Sequence, residues 1–459
     1  MSSIEEIEPT NKLTAALEKS IAEDRYNLIT QNLQEVLNPN LLKDILQKQK
    51  RDPVIYWGTA PTSTVHLGYV FCMLKIIDLI QAGCHIKILI ADLHAVMDSL
   101  KSSFENVNNR SIYYQIMIKQ ILLRLGVTDE QLDKIEFVKG TDFQLSQAYT
   151  MDVYRANSVV SFNEAHKAGS EVVKQSTNPV MNSLIYPVLQ ALDMVYLNAD
   201  AHFCGVDQRK INVFANEILP RIGKKKGFFL MNPMISALSS TSKNLSPQEE
   251  EKKGDGKGEK ESEPKESEPV EKNNKMSASN PNSKIDLLDD LKTIKKKVGS
   301  AYCLAGDVKD NTPLELTKTL IFPVLNRLGR GFIIERPEKY GGTIEYKDYG
   351  SLELDFQTNK NSDPNVEPEY KLHPSDLKIG IISALDFILE PLRAKFAEPD
   401  MMKIVNAAYP TNVIIKAQKQ NKKEKPKADT KSNENDNIPN VDKNEPIDSP
   451  IDIDHVANV

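Results

Sequence analysis

Tyr186, Gln190 and Asp193 stand at i, i+4 and i+7, so a helix places all three on one face. Their neighbours Val188, Leu189, Leu192, Met194 and Val195 are apolar. A carboxylate in that company needs a partner, because an unpaired buried charge costs several kcal/mol. Two kinds of partner meet the need: a structural one, such as a backbone amide or an arginine, or a ligand that donates a hydrogen bond. Pro187 reads as a first-turn residue of this helix, where its missing N–H does no harm. Downstream, HFCGVDQRK reads as a short strand passing through Gly205 into a junction crowded with Asp207, Gln208, Arg209 and Lys210. Two further stretches carry chemistry. His66-Leu67-Gly68-Tyr69 opens a helix after a strand, and a helix N-terminus favours anions. Lys275-Met276-Ser277-Ala278-Ser279 is a lysine and serine loop in a polar context.

The elements that position these residues follow from periodicity. Residues 54–57 read as a strand, 58–64 as a turn, and 66–81 as an apolar helix closed by Gly83. A strand over 86–90 ends in Ala91-Asp92-Leu93-His94. Helices are expected over most of 105–126 and a further strand over 135–138. This alternation predicts an α/β fold with a doubly wound parallel sheet. In such sheets ligands bind beyond the carboxyl ends of the strands, where Tyr56, Asp92, His94 and the 205–208 stretch fall. Residues 10–50 read as two or three surface helices. Residues 285–415 read as a second, mainly α-helical part, with β-like irregular structure over 335–356.

Composition narrows the class. The chain has 459 residues, 40% hydrophobic and 27% charged, as in a soluble globular protein of two or three domains. No apolar run approaches membrane-spanning length. The N-terminus has neither an apolar core nor an arginine-rich pattern, so neither a signal nor a transit peptide is expected, and a cytoplasmic location is. Four cysteines without CxxC spacing point to buried free thiols and no zinc or other metal site. The net charge of −6 does not advertise a nucleic-acid binder, yet basic runs at 224–226, 295–297 and 416–427 can meet phosphate locally. Residues 244–274, almost without apolar side chains, read as a disordered charged insertion, and 416–459 as a disordered tail.

Taken together, these stretches resemble the class I aminoacyl-tRNA synthetases, specifically the tyrosyl-tRNA synthetases of eukaryotic and archaeal type. His66-Leu67-Gly68-Tyr69 is similar to their first signature and Lys275 to Ser279 to their second. YWGTAPT, ADLHA, LIYPVLQALD, GVDQRKI, ERPEKYGG and LHPSDLK are also similar to that family. The resemblance departs at Ser63-Thr64, where the family carries a glycine and a basic residue, and at Cys204, which replaces a glycine.

The resemblance implies an N-terminal extension (1–29), a Rossmann-like catalytic domain (30–243), the insertion (244–274), a signature loop (275–284), a helical anticodon-binding domain (285–415) and the tail. It implies tyrosine activation with ATP and Mg²⁺, transfer to tRNA(Tyr), and a homodimer. Tyr56 and Asp193 would hold the phenol hydroxyl. His94, Tyr186, Gln190 and Gln208 would surround the rest of the amino acid. Gly58, Thr59, His66, Gly68, Gly205, Asp207 and Lys275 would meet ATP, with Met276 and Ser277 supporting the loop and Gly68 making room for adenine. Arg209 would lie near the tRNA acceptor stem, and Tyr340, His373 and Asp376 near the anticodon. Residue chemistry alone leaves simpler roles open, with Tyr340 packing on Gly341 and Gly342 and Asp376 capping a helix. Two other readings use the same residues: a tryptophanyl enzyme of the same class, or a non-catalytic RNA-binding homologue.

Overall fold

The computed structural model describes residues 8–98, 103–172, 180–238, 284–358 and 371–410. Its centre is a six-stranded sheet in the order β1-β6-β5-β2-β3-β4. The strands are β1 (Glu35–Leu37), β2 (Val54–Thr59), β3 (His85–Ile90), β4 (Glu136–Lys139), β5 (Ala201–Gly205) and β6 (Phe228–Asn232). All neighbours run parallel except β1, which pairs antiparallel with β6. The inner strands β2, β3, β5 and β6 are rich in aromatic and β-branched residues and are buried along most of their length. This is the pattern of a parallel sheet covered on both faces.

From β2 the chain winds outward through β3 to β4, then returns to lay β5 and β6 on the other side of β2. The order therefore reverses between β2 and β5, the position where open α/β sheets leave a crevice for ligands. Helix Leu67–Gln81 makes the first crossover and ends at Ala82, followed by Gly83 at φ +76°, a left-handed position that suits glycine. Helices Met181–Tyr196 and Arg209–Arg221 close one face over a core that includes Leu89, Val188, Leu192, Phe214 and Ile218. A fully buried Leu or Phe in such a core contributes about 1.5–3 kcal/mol.

Pro187 is not in a first turn. Its helix begins at Met181, so the proline lies inside it and removes one intrahelical hydrogen bond. The face assignment survives this shift, because Tyr186, Gln190 and Asp193 still line one cavity.

Residues 291–408 are mainly helical. They include Leu291–Ser300, Thr312–Leu316 running through a π-turn into Phe322–Arg327, Pro374–Phe396 and Pro399–Ala408. A two-stranded ribbon, Phe332–Ile334 with Ile344–Tyr346, is followed by helix Tyr349–Gln357, so about the last third of the stretch read as irregular is α-helical. These elements dock on helix Phe104–Arg124 and its end. Arg110 donates to Ala408 O at 3.2 Å, Arg124 to Phe387 O at 2.8 Å, and Arg327 to Leu125 O at 2.9 Å. No helix among the described residues is long and apolar enough to cross a membrane.

Candidate active site

A cavity of about 340 Å³ opens at the carboxyl ends of β2 and β5. Tyr56, Gly58, Thr59, His94, Tyr186, Gln190, Asp193, Gly205, Asp207 and Gln208 all line it. Three other clefts among the described residues are larger, about 550 Å³ beside Lys224 to Lys226, about 440 Å³ beside Lys75 and Arg327, and about 920 Å³ beside Tyr340. The smaller cavity is distinguished by the buried polar groups that converge on it.

Asp193 is the most demanding of these, at 1% exposure. Its Oδ1 accepts from Gln144 Nε2 at 2.7 Å and from the Tyr149 hydroxyl at 2.9 Å. Burial pushes its pKa up to about 7, and these two donors hold it from rising further. Tyr149 has one hydrogen and two acceptors within reach, the second being Leu189 O at 2.9 Å. When Asp193 is ionised that hydrogen belongs on the carboxylate, the stronger acceptor. Both donors approach Oδ1, so Oδ2 remains for a group in the cavity. His94 Nε2 lies 4.0 Å from Oδ2, and burial keeps His94 neutral with its pKa lowered to about 4.

The short helix carrying Gln144 is itself pinned. Asp92, at the end of β3, accepts from Thr141 N at 2.9 Å and from its hydroxyl at 2.6 Å. Sequence reasoning found Asp92 and Asp193 but missed Gln144 and Tyr149, whose link to Asp193 exists only in three dimensions. Elsewhere in the cavity Gln190 Nε2 donates to Gln208 Oε1 at 2.9 Å, and His94 meets Tyr186 edge-on at 4.6 Å.

His66 and Gly68 lie beside the cavity rather than on its wall. His66 caps helix Leu67–Gln81, its Nδ1 accepting from Gly68 N at 3.2 Å. A Cβ at Gly68 would come within 2.8 Å of the His66 ring. The glycine thus leaves room for its neighbour's imidazole. Burial and the nearby Lys284 cation lower the His66 pKa to about 4. Lys284, missed in the sequence reading, is buried, donates to Thr64 Oγ1 at 2.7 Å and pairs with Asp286 at 2.8 Å. Its stretch runs against the start of the His66 helix, through Leu67 N to Ile285 O and Leu287 N to Val65 O. Lys275, Met276 and Ser277 lie outside the described residues, as do the insertion and the tail.

The remaining sequence candidates stand elsewhere. Arg209 is held by Glu35, at 2.7 and 3.0 Å. Tyr340, His373 and Asp376 share the cavity of about 920 Å³. Tyr340 is exposed, and Asp376 pairs with Arg336 at 3.2 Å. The helix cap is His373, which accepts from Ser375 N, and not Asp376. All four cysteines are free thiols.

Residues 47–249 and 268–370 match the class I tRNA synthetases for tryptophan and tyrosine. The chain belongs to this family. Among relatives of this synthetase, the cytoplasmic tyrosine–tRNA ligase of Saccharomyces cerevisiae is 42% identical over 88% of the chain and 91% of its own length. That of Gallus gallus is 42% identical over 84% of the chain, which spans 64% of that longer protein. The tyrosyl-tRNA synthetase of Archaeoglobus fulgidus, solved with L-tyrosine, superposes with a TM-score of 0.64 at 29% identity. That match covers 82% of this chain and all of the archaeal one.

Proposed function

We propose that this synthetase attaches L-tyrosine to tRNA(Tyr) in two steps. A carboxylate oxygen of tyrosine attacks the α-phosphorus of ATP, and pyrophosphate leaves with its bridging electrons. The terminal ribose hydroxyl of the tRNA then attacks the acyl carbon, and AMP departs. Neither step needs a protein nucleophile, so the protein's task is orientation and charge stabilisation. Mg²⁺ enters with ATP as part of the substrate.

The observation that carries the reading is Asp193, with one oxygen taken by Gln144 and Tyr149 and the other left to the cavity. A phenol supplies the missing donor, and the Tyr56 hydroxyl completes its surroundings. Tyr186, Gln190 and Gln208 take the ammonium and carboxylate, and His94 backs the ring. Gly58, Thr59, Gly205 and Asp207 border the space for ATP. His66 and Lys275 serve its phosphates, and Met276 and Ser277 belong to the same loop. Arg209 meets the acceptor stem after leaving Glu35. Tyr340, His373 and Asp376 receive the anticodon in the 285–415 part, while 30–243 is the catalytic part. The protein acts as a cytoplasmic homodimer. Leu145, Met151, Tyr154, Phe162 and Met181 are exposed, and apolar side chains gathered on neighbouring helices suit a self-complementary contact.

ATP–pyrophosphate exchange tests the reading. Exchange driven by L-tyrosine and not by L-tryptophan is expected. Exchange with tryptophan alone would replace the substrate, and none with any amino acid would leave an RNA-binding homologue.

A further inference from the structure

Beneath Tyr56 lies a buried polar trio that this mechanism does not use. His202 and Cys204 are two residues apart on β5 and so share a face of the sheet. Tyr56 pairs with His202 in register across β2 and β5, which brings the two side chains to the same face. The rings lie flat against each other, with centroids 4.4 Å and planes 7° apart. From helix Arg209–Arg221, Asn212 reaches between the other two. Its Oδ1 stands 3.1 Å from His202 Nδ1, and its Nδ2 donates to Cys204 Sγ at 3.1 Å. Asn212 is 1% exposed, His202 4% and Cys204 5%. Asn212 does not line the cavity, whereas His202 and Cys204 do.

The chemistry fixes how the trio is wired. An amide oxygen only accepts, so an imidazole facing it must carry its hydrogen on Nδ1. The reverse amide orientation would give the good acceptor to a thiol, which is a weak donor, and is the poorer arrangement. Burial keeps the ring neutral, which leaves Nε2 without a hydrogen.

We propose that Asn212 is a positioning residue for amino-acid recognition: it holds His202 in the Nδ1–H form, flat beneath Tyr56, and so fixes where the Tyr56 hydroxyl stands. The geometry supports this at each link. The ring stack constrains Tyr56 on one side, and the Asn212 bond stops the His202 ring from turning about its own axis. Asn212 is in turn fixed by its second bond, to sulfur. The inference rests on the tyrosine reading of the cavity.

The test uses Asn212→Leu, which keeps the bulk and removes both bonds. The KM for L-tyrosine in ATP–pyrophosphate exchange should rise about fivefold, the factor that a hydrogen bond of about 1 kcal/mol represents. The KM for ATP should not move. A folded Asn212→Leu with an unchanged tyrosine KM overturns the proposal. The wild-type protein gives an answer that needs no variant of Asn212. In a nitrogen-15 spectrum of histidine-labelled protein, His202, assigned by its loss in His202→Gln, should show the hydrogen on Nδ1. Finding it on Nε2 overturns the proposal as well. Absence of tyrosine-dependent exchange in the wild type would instead defeat the functional reading, and the His202 spectrum would still decide the Asn212 contact.

Discussion

Asp193 should destabilise the protein that depends on it, and Asp193→Asn should show by how much. Its pKa rises from the ordinary 3.8 to about 7 on folding. A raised carboxyl pKa means that the folded state holds the proton more tightly than the unfolded chain. The stability it contributes is full below the unfolded value and is lost as pH rises toward the folded one. About 3 units at 1.36 kcal/mol each amount to about 4 kcal/mol lost by pH 8. The group is fully buried, so solvent does not discount this. Asparagine imitates the protonated acid: its Oδ1 still accepts from Gln144 and Tyr149, and it carries no charge to desolvate. The substrate-free Asp193→Asn protein should therefore be more stable than wild type by about 4 kcal/mol at pH 8, and equal to it below pH 4. For a compact unit ending at Pro410, an unfolding entropy of about 2 cal/mol/K per residue makes this about 5 °C in Tm. Thermal scans of both proteins across pH 4–8 read it directly. A variant less stable than wild type at pH 8 would refute the reasoning, because Asp193 would then be a well-solvated or well-paired charge.

Three other outcomes follow from the geometry. Gln144→Leu removes one of two donors to a buried carboxylate, worth about 1.5–3 kcal/mol, so kcat/KM for tyrosine should fall about 10- to 100-fold with the KM for ATP unchanged in the exchange assay. Gly68→Ala forces the His66 ring from its place, since the added Cβ would sit 2.8 Å from it; exchange should lose at least about tenfold in kcat, by analogy with lost charge-stabilising donors, while the tyrosine KM holds. Tyr340→Ala should leave exchange intact and lower kcat/KM for tRNA in aminoacylation by about 5- to 100-fold, the value of one stacked base.

The sheet was readable because its signals are local. Strands such as Val54–Thr59 and His85–Ile90 are short apolar runs, and Gly83 closes the helix between them. Asp193 was readable for a different reason: a charge amid apolar neighbours has to be explained. What escaped was set by tertiary contact. Strand Glu35–Leu37 has three residues, too few to show a period, and exists because β6 offers it an edge. Gln144 and Tyr149 look like ordinary polar residues until folding brings them to Asp193, 49 and 44 positions away. Pro187 misled because proline is commonest at helix starts, and the rule says nothing of the turn and a half that precedes it here. The cap of helix Pro374–Phe396 falls on His373, just before the proline, while Asp376 inside the first turn is drawn to Arg336.

The central claim is that ionised Asp193 reads the phenol of tyrosine, and calorimetry of L-tyrosine binding in buffers of differing ionisation enthalpy tests it most directly. With the carboxyl pKa at about 7, binding to the ionised form should release about 0.9 proton at pH 6 and about 0.1 at pH 8. L-phenylalanine, with no donor to offer, should bind far more weakly at either pH. Tyrosine binding without proton release at pH 6, or phenylalanine binding as tightly, would contradict the account.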